Sequence, residues 1–459
     1  MRRTEVGIPF AAIVLAMLPA VLDQTILATG LPVVARDLGA LSDVSWVVTA
    51  YVVSAAATTP LWGKLGDRHG RKLLLQLSLA IFVGTSALCA AAQDITQLIG
   101  LRAIQGAAAG GLMTLAMAAV GDLVAPRERG RYQGYIAATF AVATIVGPLL
   151  GGLLVEHASW RWVFLVNLPV GMTALVALAA RLPAPEADRP DRPLDSAGAA
   201  LLAGATTAFM LTCIWGGSRY AWDSAQILAL IAATVVLAGA LFVRERHAAD
   251  PIVPTHLLRS RSVAVASSAL FLGTAALFAV TVFVPLFLET ATGASPTEAG
   301  LLLVPAMLGI TVSTTLSGRS IARTGRYKRF PVAGLALMTA ALFVLAGFAE
   351  STSQLWTGLG LALFGLGFGM VTQVLVVAVQ NHVERRELGV ATATTGFFRA
   401  LGGAAGAAVL GAVFAAQASA SVVDGVQAVF IVAAPLAALA LLIVLFLPEA
   451  PLKTGEVTR

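Results

Sequence analysis

Gly63-Lys64-Leu65-Gly66-Asp67-Arg68-His69-Gly70-Arg71 closes one apolar run and opens the next. The same pattern of glycine and basic residues returns at Gly318-Arg319-Ser320-Ile321-Ala322-Arg323-Thr324-Gly325-Arg326, 255 residues later. Three more glycine pairs keep that offset: Gly134 with Gly389, Gly147 with Gly402, and Gly151 with Gly406. Agreement at so many special positions predicts a duplicated architecture of two homologous six-helix halves, as in transporters whose parallel repeats are related by an axis along the membrane normal.

On either side of each turn the chain is greasy for about 20 residues, the length needed to cross roughly 30 Å of hydrocarbon as a helix. Such runs continue to the end of the chain and number about fourteen by the same length criterion. No alternating pattern of a membrane barrel interrupts them, so the helical solution to backbone hydrogen bonding applies. The expected fold is therefore all-α and polytopic. Its N-terminal bundle takes residues 1–182 and its C-terminal bundle residues 262–459, with two additional helices inserted at 195–243. Linkers at 183–194 and 244–261 join them, the first stiffened by Pro183, Pro185, Pro190 and Pro193. The first apolar stretch, from about Gly7 to Gly30, is too long for a signal peptide core and contains Asp23, so it reads as a retained helix.

Composition agrees. Of 459 residues 58% are hydrophobic and only 12% charged, against about 25% charged in soluble domains, and the mean hydropathy is +0.86. The net charge of +6 does not signal nucleic acid, because the basic residues sit in short connectors rather than on one water-facing surface. All but five of the 30 Lys and Arg fall on the side that carries the N-terminus. Arg36, Arg161 and Arg219 fall on the other side, and Arg102 and Arg399 lie within spans. By the positive-inside rule both termini are cytoplasmic. Cys89 and Cys213 lie in apolar runs and imply no disulfide. The five histidines form no metal-ligand pattern, and no phosphate-binding G-x-x-x-x-G-K-[ST] loop is present. No metal, cofactor, nucleotide or catalytic constellation is implied, which argues against a membrane-embedded enzyme or receptor.

The residues left over for chemistry are few. Asp23 lies about two turns from the outer end of the first span, at roughly the depth of Arg102 on an antiparallel neighbour, so coupling between them is feasible. A charge at such a position costs about 2.5–3.5 kcal/mol on insertion scales and is paired or lines a polar cavity. The alternative for Arg102 is snorkelling to the outer surface, and for Asp23 a purely structural pairing. Gly106 and Gly110 give α-helical small-xxx-small packing. Glu289, at the end of the ninth span, is either a second protonatable group or a rim carboxylate facing water. Arg399 is either structurally paired or close to a pocket. Asp23, Gln24, Gln105 and Arg399 form the candidate substrate-cavity set.

Gly63 to Lys72 resembles the signature G-x-L-x-D-x-x-G-R-[RK] of the major facilitator superfamily, with every fixed position present. The resemblance implies a conformational latch at Gly63, Asp67, Arg68, Gly70 and Arg71 that holds the outward-open state. Asp67 is replaced by Ala322 in the second copy, so that half lacks the acid. Arg102-Ala103-Ile104-Gln105-Gly106 resembles the family's R-x-x-Q-G signature, which implicates Arg102 in proton transfer. Gly147-Pro148-Leu149-Leu150-Gly151-Gly152 resembles the signature that marks its antiporters, an expected helix kink. Leu22-Asp23-Gln24-Thr25-Ile26-Leu27-Ala28-Thr29-Gly30-Leu31-Pro32, Trp160 to Gly171, Gly389 to Ala393 and Phe398 to Gly403 resemble the fourteen-helix drug:proton antiporter branch. What the resemblance implies is a monomeric, multidrug efflux type transporter of a bacterial plasma (inner) membrane. It exchanges small amphipathic compounds, antibiotics among them, for protons across the lipid bilayer. The alternative cargo is an endogenous metabolite: a self-made antibiotic, a siderophore or a lipid.

Overall fold

The structure is a computed structural model that describes residues 3–38, 43–183, 194–291, 303–348, 354–417, 421–450 and 452. Most of the proline-rich connector lies outside this set, as does the side chain of Glu289.

Backbone amides have no partner in hydrocarbon except one another, so each apolar run closes on itself as a helix. In chain order these are α1 (Arg3–Asp37), α2 (Ser45–His69), α3 (Arg71–Ala90), α4 (Ile95–Leu123), α5 (Pro126–His157), α6 (Trp162–Arg181) and α7 (Ser196–Trp215). They continue as α8 (Ala225–His247), α9 (Arg261–Leu288), α10 (Val304–Thr324), α11 (Arg329–Phe348), α12 (Gln354–His382), α13 (Leu388–Gln417) and α14 (Val422–Val444). A short helix, Thr255–Arg259, precedes α9, which itself contains a π-helical turn at Ala279–Phe283. No β-strand forms among the described residues.

Twelve of the fourteen are long and apolar enough to cross a membrane, and the chain is a multi-pass membrane protein. The other two, α2 and α10, have span length at 25 and 21 residues but are more polar. Their polarity is directed inward at neighbouring helices. Thr58 Oγ1 donates to the Ala107 carbonyl of α4 at 3.0 Å, and Thr314 Oγ1 donates to the Gly369 carbonyl of α12 at 2.9 Å. Hydrogen bonds of this kind hold transmembrane helices together where lipid supplies no hydrophobic drive between them.

Packing repeats with the sequence. In the first set α2, α3 and α1 pack on α4, α1 also packs on α5, and α3 on α6. In the second, α10, α11 and α9 pack on α12, α9 also on α13, and α11 on α14. Thus α4 and α12 are the central posts, with 72% and 67% of their most apolar windows buried against 6% for α8. The two sets meet along two seams, α2 on α13 and α5 on α10. Besides its neighbour α8, the inserted helix α7 packs on α2 and α13, through Met210 and Cys213 against Val53, Ala56, Ala404 and Ala408. Its partner α8 turns Val235 and Val236 outward, each 67% exposed, as expected of a surface wetted by lipid.

Candidate transport site

Asp23 is fully buried, and three side chains converge on it. Arg102 Nη1 donates to its Oδ2, while Gln105 Nε2 and Asn167 Nδ2 each donate to its Oδ1 at 3.2 Å. Arg102, 1% exposed, also reaches Gln105 Oε1 at 2.7 Å and the Val47 carbonyl at 3.2 Å. Its guanidinium stacks over the Tyr51 ring at 4.2 Å. The arginine therefore points into the bundle and does not snorkel. Three elements make this possible. The α1 backbone brings Asp23 in, the Gly106 face of α4 lets α2 approach so closely that a Cβ there would lie 2.2 Å from the Tyr51 carbonyl oxygen, and α6 contributes Asn167. Asn167 in turn donates to Ser86 Oγ at 3.1 Å, and its Oδ1 has no hydrogen-bond partner among the described residues.

A cavity of about 240 Å³ opens between the two helix sets. Gln24, Tyr51, Thr59, Gln373, Thr395 and Arg399 supply polar groups to a wall otherwise built from residues such as Ala109, Met113, Phe140 and Leu270. Gln24 and Arg399 line this cavity. Asp23 and Gln105 do not: both are fully buried and absent from the wall. Tyr51, which lines the cavity on one side and stacks on Arg102 on the other, stands between them and the open space. Arg399 has no ion pair or hydrogen bond among the described residues.

On the basic face, where the N-terminus lies, the latch residues tie the two sets together. Asp67 accepts from the backbone N–H groups of Gly389 (2.9 Å) and Val390 (2.8 Å), the first turn of α13. Free amides and the helix dipole both favour a carboxylate at that position. Arg71 donates to Asp67 at 2.7 Å and also pairs with Asp122, which lies 3.6 Å from Arg385. Gly63 lets α2 touch α13, since a Cβ there would sit 2.7 Å from the Gly389 carbonyl oxygen. Gly70 takes φ 90°, a turn that favours glycine. Arg68 departs from the expected set. It reaches Asp250 of the second linker at 3.3 Å, and Lys64 pairs with the same carboxylate. Position 68 sits one residue past Asp67 on α2 and so faces a different direction on the helix.

Across the second seam Gly318 meets Gly130, where a Cβ on Gly318 would lie 2.0 Å from the Gly130 carbonyl oxygen. Arg129 bridges from α5 to the Gln380 carbonyl of α12 at 3.2 Å. This seam is closed by glycine contact and an arginine, with Ala322 standing where Asp67 stands in the first.

In α5 the Gly147-Pro148 step sits inside a continuous 32-residue helix. Gly147 and Gly151 press on Thr25 and Thr29 of α1, within the same helix set, whereas Gly152 has nothing within 4 Å of a built Cβ. The glycine surface of this run thus faces α1, and Gly152 is not part of it.

Residue reasoning missed Asn167, Tyr51, Asp122 and Asp250 as partners. A polar Asn inside an apolar span was the available signal for the first. The other three show only once the helices are packed.

A deep ion-paired carboxylate beside a cavity between two pseudo-equivalent helix sets is the arrangement expected of a polytopic carrier. Residues 13–407 match the Major Facilitator Superfamily model, and the chain belongs to that family of membrane transporters, which are not enzymes. It is 41% identical over 409 residues to an uncharacterised MFS-type transporter of Mycobacterium tuberculosis, covering 89% of this chain and 59% of that protein, so it spans little more than half of that relative's length. It is 34% identical over 405 residues to the multidrug transporter protein MdtP of Bacillus subtilis, covering 88% of this chain and 74% of that one. Its fold matches the crystal structure of a human organic anion transporter with a TM-score of 0.70 at 19% identity, over 96% of this chain and 99% of the other.

Proposed function

We propose that this chain is a proton-driven exporter of small amphipathic compounds that works by alternating access, as a monomer, in a bacterial plasma membrane with its basic face toward the cytoplasm. The observation that carries this reading is Asp23, held by Arg102, Gln105 and Asn167 one side chain away from the central cavity. The multidrug role named for the Bacillus subtilis relative points to the same activity.

Protonation of Asp23 removes the negative half of a buried ion pair. The guanidinium is then free to turn toward other acceptors, and the Asn167 amide can present its unpartnered oxygen to the new O–H. Tyr51 and Gln24 translate that rearrangement to the cavity wall, because Tyr51 stacks on Arg102 and Gln24 adjoins Asp23 on α1. Proton entry from outside and substrate release are then linked through two arrangements of one bundle. Residues 1–182 and 262–459 act as the two moving bodies. Each proton that moves inward contributes about 2.3 kcal/mol per 100 mV of membrane potential, enough to drive uphill export. No cofactor takes part.

The test is transport of fluorescent amphipathic dyes by purified protein in proteoliposomes with an imposed pH gradient. The Asp23→Asn variant should lose gradient-driven uptake while keeping dye binding. Uptake equal to that of the unaltered protein would reject the assignment.

A further inference from the structure

Arg399 enters the cavity from α13 and finds no counter-ion there. Its side chain is exposed and reachable by water through the opening of the cavity. Among the described residues of the wall there is no carboxylate. The other polar groups of the wall, Gln24, Tyr51, Gln373 and several threonines, are neutral. Asp23, on the far side of Tyr51, is already satisfied by Arg102 and screened from the cavity by that ring. A cation at membrane depth is costly unless it is paired or hydrated, and such residues mark the path of a substrate. The field in this cavity is therefore positive, and low-dielectric walls strengthen it.

We infer that the cavity takes organic anions: amphipathic molecules whose carboxylate, sulfonate or phosphate group pairs with Arg399 while the apolar part lies against Met113, Phe140 and Leu270. The guanidinium presents several N–H donors in a plane, which suits a planar or tetrahedral oxyanion. Gln24 and Gln373 add neutral donors and acceptors that orient the rest of the molecule. A lipophilic cation meets like charge with no compensating acid, and that contact is a penalty rather than a lack of attraction. This inference rests on the reading of the cavity as the transport site and narrows its substrate class.

Fluorescein and rhodamine 123 share a three-ring scaffold and carry opposite charge, so they separate charge from shape. Their binding to the full chain in nanodiscs would be read by fluorescence polarisation at pH 7.5, with no gradient present. The unaltered protein should prefer fluorescein, and Arg399→Gln should weaken fluorescein binding by roughly tenfold or more, as expected when one partner of an enclosed charge pair is removed. Arg399→Lys should recover most of the loss. Gln373→Glu, which leaves the arginine in place and adds an acid to the same wall, should weaken fluorescein and admit rhodamine 123. Equal or better binding of rhodamine 123 by the unaltered protein, absence of fluorescein binding, or an Arg399→Gln variant of normal folding with unchanged fluorescein affinity would overturn the inference. Selective fluorescein binding without gradient-driven movement would instead sink the proton-coupled reading and leave this one standing. Gradient-driven movement of rhodamine 123 but not fluorescein would do the reverse.

Discussion

Replacing Asp67 by Asn tests what holds the basic face shut. The carboxylate accepts two backbone N–H groups at the start of α13, at 2.9 and 2.8 Å, and one N–H from Arg71. Hydrogen bonds to a charged group contribute about 1.5–3 kcal/mol each, against about 0.5–1.5 kcal/mol for neutral pairs. Asn keeps the shape, retains one acceptor oxygen and turns an N–H group toward the second backbone amide. The favourable placement of negative charge at a helix N-terminus, about 0.3–1 kcal/mol, is lost as well. Arg71 keeps Asp122 and the Ala118 carbonyl and so is not orphaned. Because the α13 contacts exist only while α2 and α13 touch, the closed arrangement should lose about 2–4 kcal/mol relative to one in which they part, a shift of roughly 30- to 1,000-fold in the ratio of the two. Nitroxide labels at the exposed positions His69 and Glu384, with distances read by pulsed electron resonance in nanodiscs, would register it as a new or dominant long-distance population. An unchanged distance distribution would refute the claim that the Asp67 contacts carry the closure.

The second seam should respond to bulk where the first responds to charge. Gly318→Leu places a side chain where a Cβ alone would lie 2.0 Å from the Gly130 carbonyl oxygen, so the basic face should be held apart and a cysteine introduced at Thr315 should react with a water-soluble maleimide many times faster than in the parent. An unchanged rate would mean that the seam is not closed as described. The Arg102→Gln variant leaves the Asp23 carboxylate buried without its cation, a defect that costs about 3–5 kcal/mol in other proteins, so its thermal unfolding temperature in detergent should fall. Adding Asp23→Asn should restore most of that loss, and failure of the double variant to exceed the single one in stability would show that the two side chains are not an energetic pair.

The number and placement of spans were legible because hydropathy reports directly on lipid exposure, and the glycine offset between Gly63 and Gly318 carried the duplication. The same measure understated α2 and α10, whose Thr58 and Thr314 bond to α4 and α12 rather than lower their fitness for the membrane. Matching depth sufficed to couple Asp23 with Arg102, since two antiparallel helices of constant rise fix relative height. Depth alone does not fix azimuth. Whether Asp23 and Gln105 face the cavity or the interior of their own helix set depends on rotation about the helix axes, and Tyr51 decides it in favour of the interior. Asp250 was beyond reach for a different reason: a linker carboxylate acquires meaning only when the linker folds back on Lys64 and Arg68.

The placement of α7 has a consequence for how cargo arrives. One flank of the molecule, where α2 meets α13, is sheathed by α7, whereas no helix among the described residues covers the flank where α5 meets α10 in this way. On the alternating-access reading proposed above, a solute dissolved in the leaflet would meet an uncovered seam on one flank only, even though the skeleton is nearly twofold.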